Sequence, residues 1–504
     1  MSRRRLSLVA AVALAGAVLF GTALAQQGRL ELAVDQSPVG LDPHVVTAFS
    51  SFAVIGQIYD GLLEVNAGLG LEPALATSWT VSDDGLTYVF QIRDGVKFHN
   101  GRTMTAEDVV YSYDRIMNPD TGSPQASRFT EVESVTATGP LEVTFRLKVA
   151  FAPFLSNLTN LTVVPREVVE ANGGSLQQVA VGTGPFMLKE IVPDTYVLLA
   201  ANPDYYRPGQ PKVAELRYNV VPEASTRAAG MRTGTYHLIP DVDPATAETL
   251  KNARGVTLMG VQDLAYTLLG LNVSRAPFND PRVREAINYA IDRSEIVDAV
   301  YFGNAVPGGP LSPGLTEWAT PTSAFQCYAT DKAKARQLLA DAGYPNGFDA
   351  GLVTFGTIQV VSDVAQVVQA QLAEVGIRLD VNVAEFGAFV QAWRNSDFDT
   401  FVSLNGGATD PDGYLYRTFV TGGSTNVFKF SDLAVDELLN RGRTTTDLAE
   451  RVNIYDHLQK RLACTGPIAH VAYGTLFSAV SDKVSGFQQL PTRGLRYLRE
   501  VELR

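Results

Sequence analysis

Strand-type and helix-type patterning alternate along this sequence, which predicts an α/β fold of two or more lobes. Three observations lead there. At 504 residues the chain is too long for a single ordinary hydrophobic core. Alternating apolar runs and stripes of helical period follow one another over its whole length. No low-complexity linker and no solenoid-type repeat separates them, so the lobes are expected to touch. With 46% hydrophobic and 19% charged residues, and 43 Gly and 26 Pro, the composition is that of a folded globular chain.

The elements follow in order. Arg3, Arg4 and Arg5 precede an uncharged run that closes on Ala23, Leu24 and Ala25, the pattern of a secretory leader cleaved after Ala25. A permanent N-terminal anchor is the alternative, and no cysteine follows the run to carry a lipid. Next, RLELAVD alternates Leu30, Leu32 and Val34 with polar residues and reads as a strand emptying into the turn-rich QSPVGLDP. In WTVSDDGLTYVFQIR, Asp84 and Gly85 divide two alternating runs, a two-residue hairpin signal.

Helices come next. Thr105 followed by Asp108 forms a capping box ahead of Val109, Tyr113 and Ile116 at helical spacing. The run PRVREAINYAIDRSEIVDAVYFG predicts a helix from Pro281 to a stop at Gly303, and TDKAKARQLLADAGY another ended by Gly343. Residues 256–273, VTLMGVQDLAYTLLGLNV, read as extended and mostly apolar, suited to a buried strand crossing between lobes with a hinge inside it.

The net charge of −12 becomes about −15 once the three leader arginines are removed. An acidic surface argues against nucleic acid or anionic lipid as a general partner. No later run reaches membrane length, so the mature chain is expected to be soluble outside the cytoplasm. The only two cysteines, Cys327 and Cys464, would reach an oxidising compartment, which favours one disulfide over two buried thiols.

Common catalytic strings are absent: the sequence has no G-x-S-x-G elbow and no G-x-x-x-x-G-K-[ST] phosphate cradle. His44, His99, His237, His457 and His470 are scattered, with no H-x-x-x-H pair to build a local metal cage. The stretch SLNGGATDPDGYLY, residues 403–416, places Asp410 and Asp412 beside a proline and a run of small residues. A calcium loop counted from Asp410 would need Gly at the sixth position and Glu at the twelfth, whereas Gly413 falls fourth and Thr421 twelfth. Two readings remain for it: a connecting turn, or main chain at Gly406, Gly407 and Ala408 left bare for a ligand's close approach.

Taken in order, GLDPH, IYDGLLEV, LEPALATSW, SDDGLTYVFQIRDGVKFHNGRTMTAEDVVYSYDR, VGTGPFMLKE, NPDYY, FNDPRVREAINYAIDR, KARQLLADAGYPNGF and ERVNIYDHLQKRL span nearly the full mature length. The chain so read resembles the peptide/nickel-type, family 5 extracellular solute-binding proteins of bacterial ABC importers. The resemblance implies a two-lobed periplasmic-binding-protein fold of type II, large-cluster form, with an extra subdomain in the N-terminal lobe. It implies lobe I over 26–262 plus 482–504, an insertion at about 56–179, lobe II over 263–481, and a second crossing near 473–483. It further implies a periplasmic monomer without catalysis or cofactor, which passes a small molecule or short peptide to permease subunits.

The candidate ligand contacts are Ser37, Tyr266, Phe386, Asn405, Gly406 and Asp410, with core packing the alternative for Phe386 and Tyr266. In peptide-binding relatives an Asp three residues before the D-P dipeptide pairs with the ligand's α-ammonium, and here that position is Gly407. Nor does any arginine stand in 354–363, where dipeptide-specific relatives hold a carboxylate. The reading is therefore a peptide or peptide-like solute, with an opine, oligosaccharide or metal chelate as alternatives. A secreted hydrolase is the rival from another class, disfavoured by the missing nucleophile motifs.

Overall fold

The structure, a computed structural model, describes residues 28–504. The leader expected over 1–25 lies outside them. One continuous sheet path runs through the strands 377–384, 348–355, 400–405, 266–271, 468–481, 238–242, 29–34, 215–220, 196–201 and 186–192. Its pivot is the fourteen-residue strand Ile468–Ser481. The first half of that strand pairs with Tyr266–Leu271 and Ala305–Pro307, and its second half pairs with Val256–Gln262 and Leu238–Val242.

Among the described residues two of the larger cores flank the pivot. The larger gathers Leu264 to Tyr473, including the wholly buried strand Tyr266–Leu271, and packs helices on both faces of the sheet. The other joins Leu30, Leu32, Leu216 and Tyr218 to the chain's end at Leu498 and Val501. A third core belongs to a four-stranded antiparallel sheet ordered 76–81, 87–92, 142–147, 132–139, backed by the helix Ala106–Met117 and filled by Phe90, Phe145 and Phe154 packed edge to face. Strand 266–271 is apolar without alternation because it is covered on both faces, whereas 256–262 is half-exposed.

Residues 256–273 do form strands, broken at 263–265, where the chain leaves one core and enters the next. Along the long strand the partner changes at Gly474–Thr475: residues 472–474 pair with 305–307, and residues 475–481 pair with 256–262. The helix expected over 281–303 is two helices, Pro281–Ala290 and Arg293–Tyr301. Asp292 breaks it by capping the second, accepting from the N–H groups of Ser294 and Glu295, while Arg293 turns inward to the His470 carbonyl. The Asp84–Gly85 hairpin forms with a longer connection, residues 82–86, because the Ser82 hydroxyl accepts from Thr87 N–H and ties the loop. The Thr105 start is as the spacing predicts, with Asp108 accepting the Thr105 N–H at 2.9 Å.

Candidate functional site

The floor of the site is the pair of crossings. Asp263 N–H donates to the Gly474 carbonyl at 3.0 Å, and the Gln262 amide reaches the carbonyls of Tyr473 and Gly474. Arg493, from the C-terminal segment, bridges Asp241 and Asp263 and lies over the exposed ring of Phe49. Tyr414 donates its hydroxyl to the Leu264 carbonyl at 2.7 Å, which ties the helix Pro411–Phe419 to the crossing itself.

Above this floor, strand Thr400–Asn405 ends beside Tyr266, with Asn405 paired to Tyr266 in register. The Asn405 amide donates to the Tyr266 hydroxyl at 3.0 Å. The Tyr266 ring is buried among Tyr414, Tyr473 and His470, so it is core with only its polar edge toward the loop. His470 beneath it is fully buried; burial pushes its imidazole down to about 3, so it is neutral.

Gly406 faces open space, and among the described residues the main-chain groups of Gly406 and Gly407 have no hydrogen-bond partner. Gly407 is a glycine for a different reason. A Cβ there would stand 2.3 Å from both the Cβ and the carbonyl oxygen of Leu264, and backbone cannot give way. A carboxylate-bearing side chain therefore has no room at position 407 in this main-chain path. Gly413 repeats the theme, its missing Cβ leaving space for Ala408.

Asp410, expected at the ligand, is turned into the protein. Both its oxygens accept from Arg451, at 2.8 and 2.7 Å, and one also caps the helix through Asp412 N–H at 2.9 Å. The reason is the buried Arg451 on helix Leu448–Thr465, a cation that needs this carboxylate more than a surface site would. Asp412 is held likewise by Arg443, at 2.9 Å; burial outweighs that attraction and pushes its carboxyl up to about 6.

Arg443 is also where the helix Pro411–Phe419 meets the segment 151–152. Its guanidinium lies 3.5 Å from the centre of the Tyr416 ring and 4.9 Å from that of Phe151, which belongs to the core of the four-stranded sheet. Its carbonyl accepts from Ala152 N–H at 2.8 Å. The remaining expected contacts lie apart from this cluster. Phe386 opens helix Phe386–Asn395, is 47% exposed and packs edge-on against Phe355. Ser37 is half-buried and accepts from Asp194 N–H at 2.8 Å, so it holds a turn of the first lobe. Arg443, Arg451 and the exposed Phe49 were not anticipated; Arg451 alone lay in a motif, ERVNIYDHLQKRL.

Cys327 and Cys464 are bonded, 137 residues apart in sequence, at the end of helix Leu448–Thr465. Among the described residues no cluster of His, Cys, Asp and Glu could hold a metal ion, and no helix is long and apolar enough to cross a membrane. The site offers bare main chain, aromatic edges and oriented polar groups, which suits binding.

Comparison with known proteins points the same way. The family model described as bacterial extracellular solute-binding proteins, family 5 Middle, matches residues 70–426. Heme-binding protein A of Haemophilus influenzae is 29% identical over 90% of this chain and 89% of its own length. Glutathione-binding protein GsiB of Escherichia coli K12 is 29% identical over 92% and 93%. The periplasmic binding protein DppA of Helicobacter pylori, ABC transporter-associated and solved with the peptide STSA, superimposes with a TM-score of 0.82 at 29% identity, covering 94% of this chain and 98% of that one.

Proposed function

The chain belongs to family 5 of the bacterial extracellular solute-binding proteins, and from that footing we propose that it captures peptide-like solutes between its lobes for delivery to an ABC-importer permease. The relatives named above are binding proteins, not enzymes. One observation carries the peptide reading: the unpartnered main chain of Gly406 and Gly407 at the end of a sheet strand. Such a segment can exchange hydrogen bonds with an extended ligand backbone, as an added strand would. Relatives that bind glutathione, itself a tripeptide, or the peptide STSA support it.

In this reading Asn405, Gly406 and the Tyr266 hydroxyl meet the ligand from one lobe, Phe386 walls the cleft, and Phe49 faces them from the other. Ser37 and Asp410 are assigned to the scaffold. Lobe I comprises 26–262 with 475–504, lobe II 263–474, and the insertion about 56–179, with export by a leader cleaved after Ala25 into the periplasm. Ligand bound to one lobe bridges to the other and shifts an open–closed equilibrium, because only the closed form makes both sets of contacts. With Gly407 against Leu264, no carboxylate awaits a free α-ammonium at that position.

Mass spectrometry of the solute that co-purifies, with thermal-shift screening of peptides, opines, oligosaccharides and heme, tests this. Peptide-sized solutes are expected to raise the unfolding midpoint by mass action and to be recovered unchanged. Turnover of a stabilising solute would overturn the receptor, and stabilisation by sugars or heme alone would overturn the peptide reading.

A further inference from the structure

The residues around helix Pro411–Phe419 do not balance in charge. Asp410 is matched by Arg451 and Asp412 by Arg443. That leaves Arg417, on the same helix: it is exposed, and among the described residues its guanidinium has no hydrogen bond, ion pair or ring partner. Its direction follows from helical geometry. Gly413, one turn earlier on the same face, lies under Ala408, so Arg417 continues the face that carries the loop 406–409.

A second guanidinium approaches from the inserted subdomain. Arg128 ends the short 3-10 turn Ala126–Arg128; its carbonyl is held by the Asn157 amide at 3.0 Å, and its Nε donates to Gln125 at 2.7 Å. Its two terminal nitrogens have no partner among the described residues. Asn157 ends the helix Phe154–Asn157, just after Phe151 and Ala152, which touch Arg443, and Arg443 covers Tyr416, the neighbour of Arg417. The turn bearing Arg128 is thus brought against the Arg417 end of the helix. Burial and then the charge of Arg417 push the Arg128 guanidinium down, with Asp412 acting against them, and the same Arg417 charge reaches Tyr266. Two like charges brought together by closure, on a chain of net charge −12, leave a site short of an anion.

We propose that Arg128 and Arg417, one from each side of the cleft, close on a carboxylate of the bound solute. The proposal rests on the receptor reading and adds to it the part of the ligand that completes closure. Planar guanidiniums suit a carboxylate because each presents paired N–H groups to its two oxygens. The carboxylate can be a peptide's C-terminus or an acidic side chain.

The test uses the full mature chain and three probes: a mixed tripeptide library as free acids, the same library as C-terminal amides, and an amidated library with glutamate at the middle position. Binding is read by titration and native mass spectrometry on wild type, Arg417→Gln and Arg128→Gln. Free acids are expected to bind about 10- to 100-fold more tightly than amides, the range for a lost charged hydrogen bond. Each arginine variant should lose a similar factor for acids and little more for amides. Restoration of binding by the glutamate library would identify a side-chain carboxylate, and its failure the C-terminus. Equal binding of acids and amides by wild type, or full affinity for acids in both variants, would overturn the arginine site and leave the receptor standing. Binding of none of the three libraries would overturn the peptide receptor and the arginine site together. Arg417→Gln should leave the unfolding midpoint of the empty protein unchanged, which separates lost binding from lost fold.

Discussion

Asp410 and Arg451 are joined by two parallel hydrogen bonds, 2.8 and 2.7 Å long, with both side chains almost withdrawn from solvent. Removing one partner leaves the other as an uncompensated buried charge, a loss of about 3–5 kcal/mol. Asp410→Ala is therefore expected to lower the unfolding midpoint of the empty protein sharply while the ligand affinity of the folded fraction stays normal. A midpoint like wild type's with weakened binding would return Asp410 to the ligand.

Gly407→Asp places a carboxylate beside the bare main chain of the loop, yet its Cβ would stand 2.3 Å from Leu264 backbone. The strand end must move, at a cost of about 1–3 kcal/mol. No gain in affinity for free α-amino peptides is expected. A tighter complex by calorimetry, with unchanged stability, would show that the loop can rearrange freely.

Arg443 holds the core of the four-stranded sheet against helix Pro411–Phe419 through Phe151, Tyr416 and the Ala152 N–H. Arg443→Gln, made together with Asp412→Asn so that no carboxylate is stranded, should favour the open form and weaken ligand binding about tenfold. Small-angle scattering is expected to give a larger radius of gyration for the empty variant. An unchanged radius and affinity would make the contact incidental.

Burial raises Asp412 to about 6 against an ordinary 3.8, so between about pH 4 and 6 the folded protein holds a proton that the unfolded chain has released. Fewer protons on the unfolded state mean that this group's contribution to stability falls as pH rises through that window, by roughly 1–3 kcal/mol in all. Asp60, also pushed up to about 6 by burial, acts in the same direction. Chemical denaturation of Asp412→Asn should show a shallower decline between pH 4 and 6 than wild type; parallel profiles would mean that Asp412 is ionised throughout.

The Cys327–Cys464 bond closes 137 residues of chain. In the loop-entropy account a closure of that length contributes about 4–5 kcal/mol. Replacing both cysteines with serine should lower the midpoint by several degrees, and alkylation without reductant should add no mass to the wild type. Two alkylated thiols would show that the bond is not formed.

The helix at Ala106 was legible because Thr105 and Asp108 are three residues apart and cap it locally. The break between Ala290 and Arg293 was not, since the apolar period runs on through it and only the inward pull of Arg293 on the His470 carbonyl, 177 residues away, makes two helices of one. The loop 403–416 shows the same division. Its small residues announced bare main chain at Gly406, but the chemistry of Asp410 depended on a partner 41 residues on.

By itself the sequence determined where several strands and helices start, the motifs that carry the resemblance to a receptor family, and a cysteine pair suited to a bridge. The element signals rest on periodicity and caps, which act over a turn or two, and the resemblance rests on motifs taken in order along the chain. Tertiary structure alone decided that Asp410 serves Arg451, that Gly407 lies on Leu264, and that among the described residues no carboxylate pairs with Arg417 or Arg128. The physical reason is that a charged side chain's role is set by what lies within a few ångströms of it, and in a chain of 504 residues those neighbours come from segments far apart in sequence.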